Sequence, residues 1–153
     1  MTEPIHLQLR ELADYRFEVD FGIDGVPPLV TDEPAPLGGG TGPNPARMLG
    51  AAVANCLSAS LIFALRKFGN DPGAVTADCT LAPERNAQGR WRIQHIQVTV
   101  RLGVPWSQLK HPDRALTQFE DFCVVTQSVR AGIEVQVKVL DSTGVELAAE
   151  PTA

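Results

Sequence analysis

The stretch from Asn44 to Gly69 constrains the fold of this chain more than any other. Asn44-Pro45 is a helix start, with Asn44 as the N-cap and Pro45 in the first helical position, where its missing N–H costs nothing. From there to Arg66-Lys67 the residues are small or apolar on nearly every face, and Gly69 supplies a C-cap. Met48 to Leu65 is about as long as a membrane span. Asn55, Cys56, Ser58 and Ser60 interrupt it, however, and a lone span would leave those polar groups in hydrocarbon. The stretch therefore reads as a buried helix of a soluble protein, with no membrane partner. A helix with no polar face must be covered all round. A single small sheet covers one side, so a second subunit is expected on the other.

The flanking sequence is β-like. Ile5, Leu7 and Leu9 alternate with His6, Gln8 and Arg10, and Tyr15, Phe17, Val19 and Phe21 alternate with Arg16, Glu18 and Asp20. Two half-buried strands joined as a hairpin explain this period of two. Residues 25–45 are rich in Pro and Gly and read as loop. Val75, Ala77, Cys79 and Leu81 mark a third strand, and Trp91–Leu102 a long fourth one, hairpinned through Asn86-Ala87-Gln88-Gly89. The apolar phase of the fourth strand slips between Ile93 and Ile96, as a bulge would make it do. A second helix is expected from His111-Pro112 towards Arg130, ending at Gly132, followed by a last strand through Ile133, Val135, Val137 and Val139. No repeat or linker divides the 153 residues, so one α+β domain, 1–153, is expected.

Several functions are disfavoured. The formal charge of −5 gives no footprint for nucleic acid. His6, His95 and His111 lack metal-ligand spacing, so no metal and no cofactor are expected. Gly38-Gly39-Gly40-Thr41-Gly42 precedes a helix, yet no Lys-Ser/Thr pair follows it and no strand feeds directly into it. It reads instead as the flexible entry to the central helix. The chain also lacks a Gly-Xaa-Ser-Xaa-Gly elbow for a hydrolase. Met1 to Gln8 has neither the basic nor the apolar region of a signal peptide, and three cysteines without one point to a reducing cytoplasm.

The cysteines are where chemistry can reside. Taken singly, each reads as an inert core thiol, because free cysteine is among the most buried residue types. Cys79, on the apolar side of a strand, stays so. As a pair, Cys56 on the central helix and Cys123 in the second helical segment could form a two-cysteine redox site.

The order of motifs resembles the OsmC/Ohr superfamily, the osmotically induced and organic hydroperoxide resistance proteins, and in particular its OsmC-like branch. The resemblance rests on Gly38 to Pro45 followed by a small-residue helix ending in Ala54-Asn55-Cys56-Leu57. It continues in Phe119 to Val129 around Cys123, in Gly132 to Val139 and in the Thr31–Pro36 loop. It implies an OsmC-like fold: an antiparallel sheet, a long buried central helix and a second helix in an intertwined homodimer. It also implies that Cys56 is the peroxidatic thiol, which reduces an organic hydroperoxide and becomes a sulfenic acid. Cys123 would then resolve that acid as a disulfide, which a dithiol reductant such as a lipoyl group opens.

At one point the chain departs from the family. Peroxidases of this kind usually carry a glutamate after the Pro-Asn-Pro turn, paired with an arginine that holds the thiolate; here Ala46 and Arg47 follow Pro45. An apolar site without a cation disfavours a thiolate. Arg16, in the region where one branch of the family places its arginine, is the leading candidate for that cation, with Arg47 second. The alternative reading is a non-catalytic OsmC-fold dimer that binds a small apolar ligand in its interface cleft.

Overall fold

The alternating N-terminus folds as the expected hairpin. In the computed structural model, which describes residues 2–147, β1 (Gln8–Ala13) pairs antiparallel with β2 (Arg16–Asp20). Asp14 takes a φ of 51° in the turn between them, a conformation that Asp tolerates better than most residues. Ile5 and Leu7 lie ahead of the strand they were expected to open. A further strand, β3 (Leu29–Thr31), pairs antiparallel with β2 inside the stretch read as loop. At three residues it is too short to show alternation.

The glycine loop after β3 is likewise not the flexible entry expected. The buried Asp32 carboxylate accepts hydrogen bonds from the N–H groups of Gly39 (3.1 Å) and Thr41 (3.1 Å) and from the Thr41 hydroxyl (2.9 Å). These bonds, led by that of the Thr41 N–H, hold the acid below its usual range against the opposing effect of burial. The described residues fall into two compact units, divided between Leu49 and Gly50.

The central helix, α1 (Pro45–Lys67), has the ends that its sequence dictates. The Asn44 side chain accepts the Arg47 N–H at 3.1 Å. Gly69 takes a φ of 74°, the left-handed C-cap conformation that favours glycine. Val53, Leu57, Leu61 and Leu65 recur at every fourth position as a fully buried stripe, with Ala54 and Ala64 beside them. Truncating one of these leucines to Ala costs about 2–5 kcal/mol. The other sides of the helix are less covered in the single chain. Ala51, Ala52, Ala59 and Phe63 are exposed, although by length and hydropathy α1 could cross a membrane. The side chain of Asn70 ties the end of α1 to Lys110, donating to Leu65 O (3.1 Å) and Lys110 O (2.8 Å) and accepting the Lys110 N–H (2.6 Å).

The second sheet has the order β4 (Thr76–Arg85), β5 (Trp91–Arg101), β6 (Glu134–Leu140). Leu81 opposes Ile96 and Pro83 opposes Ile93, so two steps on β4 face three on β5. This bulge is the phase slip expected between Ile93 and Ile96. It also places Pro83, which has no N–H to donate, at an irregularity in the ladder. β4 and β5 are antiparallel, whereas β6 runs parallel to β5, because the connection between them crosses over through helices. In register, Ile96 meets Val135 and Val100 meets Val139, all four buried on one face. A Cβ on Gly50 would stand 2.5 Å from Leu81 Cδ2 and 3.3 Å from Cys79 Sγ. The start of α1 in this unit thus lies close over that face, at a separation that glycine permits.

The second helix does not run through to Arg130. It breaks into α2 (Pro112–Gln118), a 3₁₀ turn (Phe119–Phe122) and α3 (Val124–Val129). Cys123, with a ψ of 89°, interrupts the helical run. The β-branched Val124, Val125 and Thr126 that follow are weak helix formers, and buried Phe119 anchors the turn to the core.

Candidate functional site

The break in the second helical segment brings two thiols together. Cys56 projects from the middle of α1 and is half-buried, and Cys123 is fully buried between the 3₁₀ turn and α3. The Cys56 thiol is near enough to Cys123 to oppose its ionisation, and both are free thiols. The attachment of each differs. Cys56 rides on a regular helix whose buried stripe fixes its direction. Cys123 is held by local bonds: its N–H donates to Glu120 O at 3.0 Å, and its carbonyl accepts the Gln127 N–H at 2.9 Å.

Burial pushes the Cys123 thiol above its ordinary value, and the adjacent Cys56 thiol adds to this. The Thr126 hydroxyl pulls it back. The Thr126 N–H acts in the same direction, although its geometry falls short of a capping hydrogen bond. Cys123 is therefore a buried thiol that stays protonated at neutral pH.

A clasp of opposite charges braces this segment. Arg130, at the end of α3, pairs with the Glu120 carboxylate and also donates to Val135 O at 3.1 Å. Glu120, whose carbonyl receives the Cys123 N–H, is thereby tied to β6. Beside the thiols lies an aromatic pair. Phe63, two helical turns beyond Cys56 on α1, meets Phe122 edge-on with ring centroids 5.8 Å apart. Lys67 Nζ lies 5.8 Å from the centre of the Phe122 ring. Both rings are exposed, 58% and 48% respectively.

The remaining candidates are placed as follows. Arg16 opens β2 and is exposed, and so is Arg47 in the first turn of α1. Among the described residues neither forms an ion pair. Cys79 lies on edge strand β4. The residue as a whole is exposed, but its sulfur faces Gly50 of α1, and that partial burial pushes its thiol up. Reading the sequence missed Thr126, Glu120, Arg130 and the Phe63–Phe122 pair. Only Thr126 carried a usable signal, standing three residues beyond Cys123, on the same helical face.

The sequence model of a family described as OsmC-like protein matches residues 38–138. Comparison with curated proteins gives no match. Among solved structures, an OsmC-like protein of unknown function from Vibrio cholerae superposes with a TM-score of 0.74 at 13% identity, covering 91% of this chain and 100% of that one. An organic hydroperoxide resistance protein OsmC from Legionella pneumophila gives a TM-score of 0.69 at 13% identity, covering 91% and 98%. The organic hydroperoxide resistance protein OhrB of Bacillus subtilis gives 0.64 at 17% identity, covering 90% and 98%. At these identities the likeness establishes a shared fold.

Proposed function

Because the chain belongs to the OsmC-like protein family, we propose that it is a thiol-dependent peroxidase that reduces organic hydroperoxides to alcohols. The observation that carries this reading is the juxtaposition of a half-buried Cys56 thiol with a fully buried Cys123 thiol. Names of structural neighbours that refer to organic hydroperoxide resistance support the same direction.

In the proposed cycle the Cys56 thiolate attacks the terminal oxygen of the hydroperoxide. The O–O bond breaks, the alkoxide takes up a proton to leave as alcohol, and Cys56 becomes a sulfenic acid. Cys123 then displaces the sulfenic oxygen as water, forming the Cys56–Cys123 disulfide. A dithiol, a lipoyl group or its like, reopens that bond by exchange and is itself oxidised to a disulfide. The exposed Phe63–Phe122 pair favours hydroperoxides with an apolar or aromatic body.

The uncovered apolar sides of α1 suit a homodimer, in which each chain acts as a single OsmC-like domain in the cytoplasm. The test is consumption of cumene hydroperoxide with excess dihydrolipoamide. The wild type is expected to turn over and Cys56→Ser to fall to the uncatalysed background, whereas equal consumption by the two would end this reading.

A second reading has one observation in its favour. The first unit carries an apolar cleft of about 460 Å³ lined by Leu7, Leu9, Tyr15, Phe17, Phe21 and Met48. Such a cleft suits a non-catalytic binder of a small apolar ligand. Saturable binding of an apolar dye, together with an absence of peroxide turnover, would favour it.

A further inference from the structure

Thr126 is fully buried, as is Cys123. A buried hydroxyl needs a hydrogen-bond partner, and hydroxyls in the helices of this chain usually find one a turn back. Ser58 donates to Ala54 O, Thr117 to Asp113 O and Ser128 to Val124 O, at 2.8 to 2.9 Å. Thr126 instead accepts the thiol of Cys123, Sγ to Oγ1 2.9 Å, and does so beside Cys56.

We propose that Thr126 is the positioning residue of the resolving step, aiming the Cys123 sulfur at Cys56 and stabilising it as it becomes a thiolate. This rests on the reading of Cys123 as resolver. Once Cys56 is a sulfenic acid, Cys123 releases its proton, and the Thr126 hydroxyl turns from accepting S–H to donating its own O–H to the sulfur anion. The thiolate attacks the Cys56 sulfur, and the S–S bond forms as the S–O bond breaks. The departing hydroxide combines with the proton that Cys123 released and leaves as water. Thr126 keeps its proton throughout. Its neighbours are consistent with this role. Of the other titratable groups around Cys123, Glu120 and Arg130 are paired to each other, and Cys56 opposes ionisation. The Thr126 hydroxyl is the strongest local influence favouring it.

The role is testable with Thr126→Val, which keeps the shape but removes the hydroxyl, and with Thr126→Ser, which keeps the hydroxyl. In the first arm one equivalent of cumene hydroperoxide is added, and sulfenic acid (trapped by a dimedone-type probe) and disulfide are followed by intact mass over a range of pH. Oxidation of Cys56 should be equally fast in all variants. Disulfide closure in Thr126→Val should slow about two- to tenfold, the range expected for one net hydrogen bond. The midpoint of its pH–rate profile should move up, and Thr126→Ser should restore both. In the second arm, free of peroxide, Cys56 is loaded as a nitrothiobenzoate mixed disulfide in a Cys79→Ser background. Attack by Cys123 then releases the coloured thiolate, and the same ranking of variants is expected.

Closure by Thr126→Val at the wild-type rate and midpoint in the second arm would overturn the role, as would Thr126→Ser proving as slow as Thr126→Val. If peroxide leaves wild-type Cys56 unoxidised while the second arm still depends on the hydroxyl, the peroxidase reading falls and the positioning role stands. Thr126→Ala provides a second hydroxyl-free variant should valine fail to pack.

Discussion

Cys56 and Cys123 sit on opposite kinds of structure. Cys56 belongs to a 23-residue helix whose direction is set by a long buried stripe, and it keeps partial access to solvent. Cys123 belongs to a broken segment of short turns, held by the Glu120–Arg130 clasp and sealed from solvent. One thiol is presented by global packing and the other is held back by local bonds. The proposed cycle, attack from outside followed by closure from inside, draws on both arrangements.

The contrast predicts asymmetric mutants. The largest effect belongs to Cys56→Ser, which should reduce hydroperoxide turnover to background. Next, Cys123→Ser should retain a first, stoichiometric oxidation and then accumulate sulfenic acid, which a dimedone-type probe would reveal. If both variants lost the first oxidation alike, the two thiols would not be dividing the work. Arg130→Gln should loosen the Cys123 segment, leaving the Glu120 charge half-buried and unpaired. A loss of about 1 kcal/mol in urea unfolding is expected, with faster alkylation of Cys123 but not of Cys56.

The smallest effect lies away from the thiols. Asp141 accepts four hydrogen bonds, from the N–H groups of Trp106, Thr143 and Val145 and from the Thr143 hydroxyl. Burial alone would raise its pKa, but these bonds outweigh burial and bring it to about 2, against an ordinary 3.8. A carboxyl depressed by folding stabilises the fold fully above its ordinary value and loses that contribution as pH falls towards 2. Asp141→Asn should therefore flatten the decline in melting temperature between pH 4 and pH 2 without altering the reactivity of either thiol.

These regions were unequally readable in the sequence. The bounds of α1 follow from Asn44, Pro45 and Gly69, whose capping chemistry is local, and the β5 bulge showed as a slip in alternation. The break at Cys123 gave no such sign. No Pro or Gly lies between Pro112 and Gly132, and the interruption depends on a single ψ at Cys123 that tertiary packing supports. β3 was hidden for a related reason, since a three-residue strand is defined by the partner it pairs with. The pairing of Cys56 with Cys123 came from motif resemblance, whereas Thr126, Glu120 and Arg130 acquire their roles only once the chain has turned back on itself.

The proposed division of labour between the thiols can be tested with one peptide map. Wild-type protein treated with a single equivalent of cumene hydroperoxide, without reductant, is digested and its disulfides identified by mass. A Cys56–Cys123 linkage with Cys79 still free is the expected result. A linkage involving Cys79, or three free thiols with the peroxide unconsumed, would contradict it.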